Sequence, residues 1–212
     1  IYTCGAWDSN SKSIQPFLPS GNSTHLNEIE TKARQWLENV YTPKYSELSA
    51  DAIQKLWNYH IDLDNKNAAT AYRIAFQELA RYTKDAWKNH ISKFDHKHFK
   101  CPELKRRFHF LSILGDSALD ENKFAEFMNI TSYMNTVYGT AKVCPLTKRD
   151  CDVETEGVPL IPGLADIMSQ PSKHSYEELS YIWEGWRNTT GRVMRKNYEK
   201  YISLCNDAAV AN

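Results

Sequence analysis

The sequence predicts an all-α protein, a bundle of long helices, and three observations carry that prediction. Apolar residues recur at spacings of three and four along several stretches. The clearest is 175–212, where Leu179, Ile182, Trp186, Val193, Met194, Tyr198, Tyr201, Ile202, Cys205 and Ala209 draw one stripe. Ser175 followed three residues later by Glu178 is a capping box, which marks the start of that helix as well as its body. No alternation of apolar and polar residues is long enough for a useful strand.

The elements follow in order. Residues 1–22 mix Gly, Pro, Ser and Asn without periodicity and predict an extended N-terminal arm, with Cys4 available to pin it by a disulfide. Residues 23–212 then form a single helical domain. Thr24 is placed to cap a helix through Ile29, Ala33, Trp36, Leu37 and Val40, which Pro43 should kink or end. The pattern resumes through Tyr45, Leu48, Ile53, Leu56 and Trp57 and ends near Tyr59. Asp64 is the expected cap of a third segment, 67–94, striped by Ala68, Ala71, Tyr72, Ala75, Leu79, Ala86 and Ile91. Residues 93–100 read as a polar turn. Pro102 suits the first turn of the next helix, where its missing N–H costs nothing, and that helix is expected to reach Leu119. Asp120 caps a fifth helix carrying Phe124, Phe127, Met128, Met134 and Tyr138 and ending near Gly139. Residues 162–168 predict a short helix. The last helix, 176–208, would measure roughly 50 Å at 1.5 Å per residue. Gly185 and Gly191 are the points where it can bend, since each weakens a helix by about 1 kcal/mol against alanine.

Composition bounds the function. The 212 residues are 42% apolar, enough for one sizeable core. Lysine and arginine number 26, and so do aspartate and glutamate, so the net charge is zero. That argues against nucleic acid or an anionic membrane as the main partner, because both favour a basic excess. No apolar run approaches the roughly 20 residues a membrane span needs. Three sequons, at Asn22, Asn129 and Asn188, together with a close Cys144 and Cys151, predict a secreted, glycosylated chain. Five cysteines leave at least one thiol unpaired or paired outside the chain. Cys101 and Cys205 are a candidate second disulfide. Cys205 lies on the apolar stripe, so a buried free thiol suits it equally.

Trp183-Glu184-Gly185-Trp186-Arg187, the basic helix after it and the ending Asn206-Asp207-Ala208-Ala209-Val210-Ala211-Asn212 resemble the angiotensin-converting enzyme family of zinc peptidases. A second match covers 133–166. There a Met-x-x-x-Tyr helix end runs into Thr140-Ala141-Lys142-Val143-Cys144, then a Cys-closed loop, then Pro162-Gly163-Leu164-Ala165-Asp166. The spacing from Ala33 to Trp57-Asn58-Tyr59 is similar to the family's first long helix; beyond it the family's Asn-Thr-Asn-Ile-Thr is replaced by His60-Ile61-Asp62-Leu63-Asp64. The resemblance spans roughly residues 26–212, which in the family is only the N-terminal portion of a longer catalytic domain. It implies the helical lid region of that fold and a small disulfide loop closed by Cys144 and Cys151. It also makes Arg187 the remnant of a chloride site, against the alternative that Arg187 makes a salt bridge or reaches solvent.

Such peptidases bind zinc through His-Glu-x-x-His on a helix, where two histidines face one metal and the glutamate acts as base. None of the seven histidines (His25, His60, His90, His96, His98, His109 and His174) begins that motif. The expectation is no family peptidase activity from these residues alone, and no metal or cofactor. His60, Asp62 and Asp64, and likewise Asp95, His96 and His98, read as solvated turns rather than ligand sets. Tyr181, Trp183 and Trp186 form a candidate aromatic recognition surface, with core packing as the ordinary alternative. The resemblance implies that these helices pack against the catalytic half, so apolar surface left uncovered needs an occupant. The expected function is a secreted, non-catalytic binding or signalling glycoprotein. Its partner would be a protein or receptor, a small apolar ligand, or a second copy in a homodimer. The alternatives are the N-terminal fragment of an active zinc peptidyl-dipeptidase that needs the rest of its domain, and a small-molecule carrier lined by Phe, Tyr and Trp.

Overall fold

The computed structural model describes residues 22–212. The expected arm, apart from Asn22, lies outside the described residues, as does Cys4. The chain is all-α. Its helices are α1 (Asn22–Trp36), α2 (Thr42–Ile61), α3 (Lys66–Asn89), α4 (Pro102–Leu111), α5 (Glu121–Thr140), α6 (Val153–Glu156), α7 (Ala165–Ser169), α8 (Tyr176–Thr189) and α9 (Gly191–Ala211). Two short strands, β1 (Lys142–Val143) and β2 (Val158–Pro159), pair antiparallel with Val143 opposite Val158. Two compact units divide the chain.

The first unit holds the described residues up to Ala52, with Ala75–Ala118 and Ala208–Asn212. Its core gathers Ala33, Leu37, Tyr41, Ala86, Ile91, Phe99, Cys101, Leu104 and Phe108. Full burial of such a side chain stabilises by about 1.5–3 kcal/mol. Aromatic rings fill the space between helices. Trp36 stacks on His90 with centroids 5.0 Å apart, and Phe108 meets Phe94 and Phe99 edge-on at 5.4 and 5.3 Å. Pro43 does not end the helix that precedes it. A π-helical turn, Leu37–Tyr41, comes first, and Thr42 N–H bonds back to Leu37 O. This wider turn accommodates a proline that would otherwise clash with the carbonyl four residues earlier. The α3 cap is Asn65 rather than Asp64: Ala68 N–H donates to Asn65 Oδ1 at 3.0 Å. Residues 93–100 are less polar in effect than in composition, because Phe99, directly after the second of two 3₁₀ turns (Ile91–Lys93 and His96–His98), is buried. The α4 helix stops at Leu111, short of the expected Leu119. Ser112 N–H closes on the Phe108 and His109 carbonyls, and Gly115 takes a left-handed φ of 56° that other residues disfavour.

The second unit holds Ile53–Ile74 and Leu119–Asp207. Asp120 caps α5 as its position predicts, accepting from Lys123 N–H at 2.9 Å. Tyr59 is fully buried, stacks on Tyr72 at 5.3 Å, and donates its hydroxyl to Ser132 O at 2.8 Å. Val143, Leu164, Ile182 and Trp186 form a separate small core beneath the β1–β2 pair, with Tyr181 packed at its margin. The capping box closes as expected, Glu178 N–H donating to Ser175 Oγ at 3.1 Å. The helix it starts is not continuous: it breaks at Thr190 (φ −115°, ψ −80°), and α9 begins one residue later. Thr189 Oγ1 donates to Gly185 O at 3.0 Å, and Thr190 Oγ1 to Trp186 O at 2.6 Å. Such hydroxyl-to-carbonyl bonds compete with the helix ladder and bend it.

Candidate functional site

On α2, Ile53, Trp57 and Ile61 recur every four residues, so on a helix of 3.6 residues per turn they fall in one narrow stripe. Tyr59 lies about 200° round the axis from Trp57, at 100° per residue. The two faces have opposite fates. Tyr59 and Ala52 are 0% exposed, while Ile53, Trp57 and Ile61 are 55%, 64% and 68% exposed. The sequence pattern puts Ile53 and Trp57 on the apolar stripe with Leu48 and Tyr59, yet both face solvent. The available signal was the width of the apolar distribution: Leu48, Ala52, Ile53, Leu56, Trp57, Tyr59 and Ile61 spread around most of the circumference, more than one buried stripe requires. Three consecutive large apolar side chains on a solvent face form a surface suited to association. Beside it lies an open cavity of about 430 Å³ lined by Lys55, Asn58, Asn65, Asn67, Ala68 and Ala71.

The aromatic trio of α8 does not form one surface. Trp186 is buried in the small core, 5.4 Å edge-on from Tyr138, and Tyr181 is half-buried against the same core with Arg149 5.1 Å from its ring. Trp183 alone is exposed, at 53%. Arg187 lies over its ring at 3.6 Å and donates to Trp183 O at 3.1 Å. One helical turn separates the two residues, so the contact is local, and a cation over an exposed indole is worth about 0.5–1 kcal/mol. Arg187 therefore spends its charge on a surface ring.

Cys144 and Cys151 are joined by a disulfide, with Cα atoms 5.7 Å apart. The candidate Cys101–Cys205 bridge is not formed. Cys205 carries a free thiol and is half-buried, while Cys101 is disulfide-bonded elsewhere and also serves as the α4 N-cap. Asn129 on α5 and Asn188 on α8 are exposed; the side chain of Asn22 lies outside the described residues. His98 Nδ1 pairs with Asp95 at 2.6 Å in an exposed turn, and His174 with Glu178 at 3.0 Å. Among the described residues no three His, Cys, Asp or Glu side chains gather in a metal-binding arrangement. The sequence contains no His-Glu-x-x-His. Among the described residues no helix is long and apolar enough to cross a membrane.

A family model described as "Angiotensin-converting enzyme" matches residues 27–212. The chain is 31% identical over 191 residues to the angiotensin-converting enzyme of Theromyzon tessulatum, covering 90% of this chain and 30% of that protein. It is 31% identical over 203 residues to the angiotensin-converting enzyme-related protein of Drosophila melanogaster, covering 92% of this chain and 29% of the relative. It is 26% identical over 184 residues to the angiotensin-converting enzyme of Haematobia irritans exigua, covering 86% and 28%. The chain thus spans less than a third of the length of these relatives.

Proposed function

Because this chain belongs to the angiotensin-converting enzyme family, we propose that its 212 residues act as a secreted, non-catalytic binding element whose partner is a protein or receptor. The observation that carries the reading is the second apolar face of α2, where Ile53, Trp57 and Ile61 stay exposed although the opposite face is fully buried. An apolar side chain of this size gains about 1.5–3 kcal/mol on full burial, so three in a row favour association strongly. The Cys144–Cys151 disulfide and the exposed sequon residues Asn129 and Asn188 support the secretory part, with glycans at those positions and at Asn22.

A second reading draws on the coverage of the relatives: the same face is packed by the remainder of a longer peptidase domain, and these residues are its non-catalytic portion. One experiment separates the two. The purified chain is supplied with zinc and chloride, assayed for dipeptide release from peptide C-termini, and then examined by native mass spectrometry alone and after incubation with extracellular fluid. Dipeptide release by these residues alone would sink both readings, and capture of a separate protein partner is what distinguishes the first from the second. The reading expects no turnover, together with a mass increase from a captured protein that disappears in the Trp57→Gln variant.

A further inference from the structure

The chain is electrically balanced, but its charges are not evenly spread. Residues 93–109 carry six cationic residues (Lys93, Lys97, Lys100, Lys105, Arg106 and Arg107) against only Asp95 and Glu103, a local net charge of +4 in a chain of net charge zero. Three histidines, His96, His98 and His109, lie in the same stretch. The fold gathers part of this charge on one side. The 3₁₀ turn His96–His98 packs against α4. On α4, Leu104 and Phe108 are buried, while the neighbouring Lys105, Arg106 and His109 fall within about 100° of one another and are exposed. Lys97 and Lys100 are exposed in the segment that leads into the helix.

Two of the acids near these cations are engaged elsewhere. Asp95 pairs with His98, Glu30 directs its carboxylate to the backbone N–H groups of Lys100 and Cys101, and Glu103 is half-buried. Among the described residues the side-chain charges of Lys97, Lys100, Lys105 and Arg106 pair with no carboxylate. Elsewhere on the surface pairing is common: Lys44 with Glu47 at 2.9 Å, Lys123 with Asp207 at 2.7 Å, Arg195 with Glu199 at 3.1 Å, Lys200 with Glu126 at 3.3 Å. A cluster of unpaired cations on an otherwise neutral protein is an electrostatic footprint for a polyanion.

We infer that this basic segment binds a sulfated polysaccharide through Lys97, Lys100, Lys105 and Arg106. The choice among polyanions follows from the disulfides. Cys144–Cys151 and the bonded Cys101 belong to an oxidising compartment. Anionic lipid is concentrated on the cytoplasmic leaflet instead, and nucleic acid would call for the extended basic surface that a neutral chain lacks. The inference rests on the secretory part of the proposed function and not on the α2 face, so either can fail alone.

The test is titration of the full chain with a size-defined heparin oligosaccharide by calorimetry at near-physiological salt. Parallel arms use phosphatidylserine vesicles and a duplex DNA. The triple variant Lys100→Ser, Lys105→Ser, Arg106→Ser is expected to bind heparin at least about tenfold more weakly, with a shallower salt dependence. The variant Arg192→Ser, Arg195→Ser, Lys196→Ser removes as many cations from α9 and should bind as the parent does. Circular dichroism of both variants checks the fold, and the charge-preserving Lys105→Arg, Arg106→Lys variant must retain binding. Equal weakening by the α9 variant, tighter binding to vesicles or DNA, or no heparin binding by the parent would overturn the inference.

Discussion

Gly185 on α8 lies so close to Val143 on β1 that a Cβ added to this glycine would sit 2.7 Å from Val143 Cγ1. The glycine is there for proximity, not for flexibility. Gly185→Ala must displace the short strand pair or the helix, and overpacking of this kind typically costs about 1–3 kcal/mol. Gly191 is the control. A Cβ there meets nothing within 4 Å, so Gly191→Ala gains helix propensity without a clash and should be neutral or stabilising by up to about 1 kcal/mol. Urea unfolding of both variants reads the difference, and opposite signs are the expected result.

That pair of glycines also shows where the sequence is legible and where it is not. Caps are short-range, and so Ser175 and Asp120 were readable from their own neighbours. Helix interruptions were not, since both glycines of the last helix looked alike. The break came from the hydroxyls of Thr189 and Thr190 bonding back to the carbonyls of Gly185 and Trp186, a choice that local composition does not declare. The early end of α4 at Leu111 was equally hidden, since the Ser112 N–H bonds to the Phe108 and His109 carbonyls that close it appear only in the folded chain. The family signature was legible in the residues around Trp183 and Cys144. Which aromatic of α8 meets solvent was not, because burial depends on segments distant in the chain.

The Tyr59 hydroxyl supplies the second prediction. It donates to Ser132 O at 2.8 Å and lies 2.8 Å from Thr136 Oγ1 in a buried setting. Tyr59→Phe should cost about 1 kcal/mol, the net worth of one such bond plus an acceptor left short. Tyr59→Ala should cost about 3–5 kcal/mol, because it also empties the ring's site against Tyr72. Chemical denaturation measures both, and equal losses would mean that the hydroxyl, not the ring, holds this region.

Alkaline stability follows from two phenols. Burial first, then the neighbouring Tyr45 and Tyr82, push the Tyr41 phenol well above the ordinary tyrosine range, and burial raises Tyr72 as well. Unfolded tyrosines ionise near pH 10 or so. Above that pH the unfolded chain has released protons that the folded chain still holds. The stabilisation is therefore complete below the unfolded value and is lost as pH rises toward the folded one. Stability should fall on raising the pH past about 10, and Tyr41→Phe or Tyr72→Phe should flatten that fall. Denaturation midpoints across the alkaline range, read with phenolate absorbance, give the test.

The Cys144–Cys151 loop encloses few residues, so its closure restricts the unfolded chain only modestly. Replacing both cysteines by serine should cost about 2–3 kcal/mol. Cys205→Ser should change stability by less, since its thiol is free and only half-buried. Thermal unfolding of the two variants ranks them, and a larger loss at Cys205 would reverse the assignment.

The α2 stripe makes the sharpest contrast between an apolar residue that packs and one that waits. Leu48 is 8% exposed, so Leu48→Ala should destabilise by about 2–5 kcal/mol through lost burial and a cavity. Ile53, Trp57 and Ile61 are more than half exposed, so little of their surface is buried in the fold. Changing all three to glutamine should therefore alter stability by less than about 1 kcal/mol. It should also lower the binding of a hydrophobic dye, because the apolar surface removed is surface the folded chain presents to water. Unfolding curves and dye fluorescence on the triple variant check the two halves separately. A loss of several kcal/mol would show that these side chains are structural, and the α2 face would then cease to be a surface held for a partner.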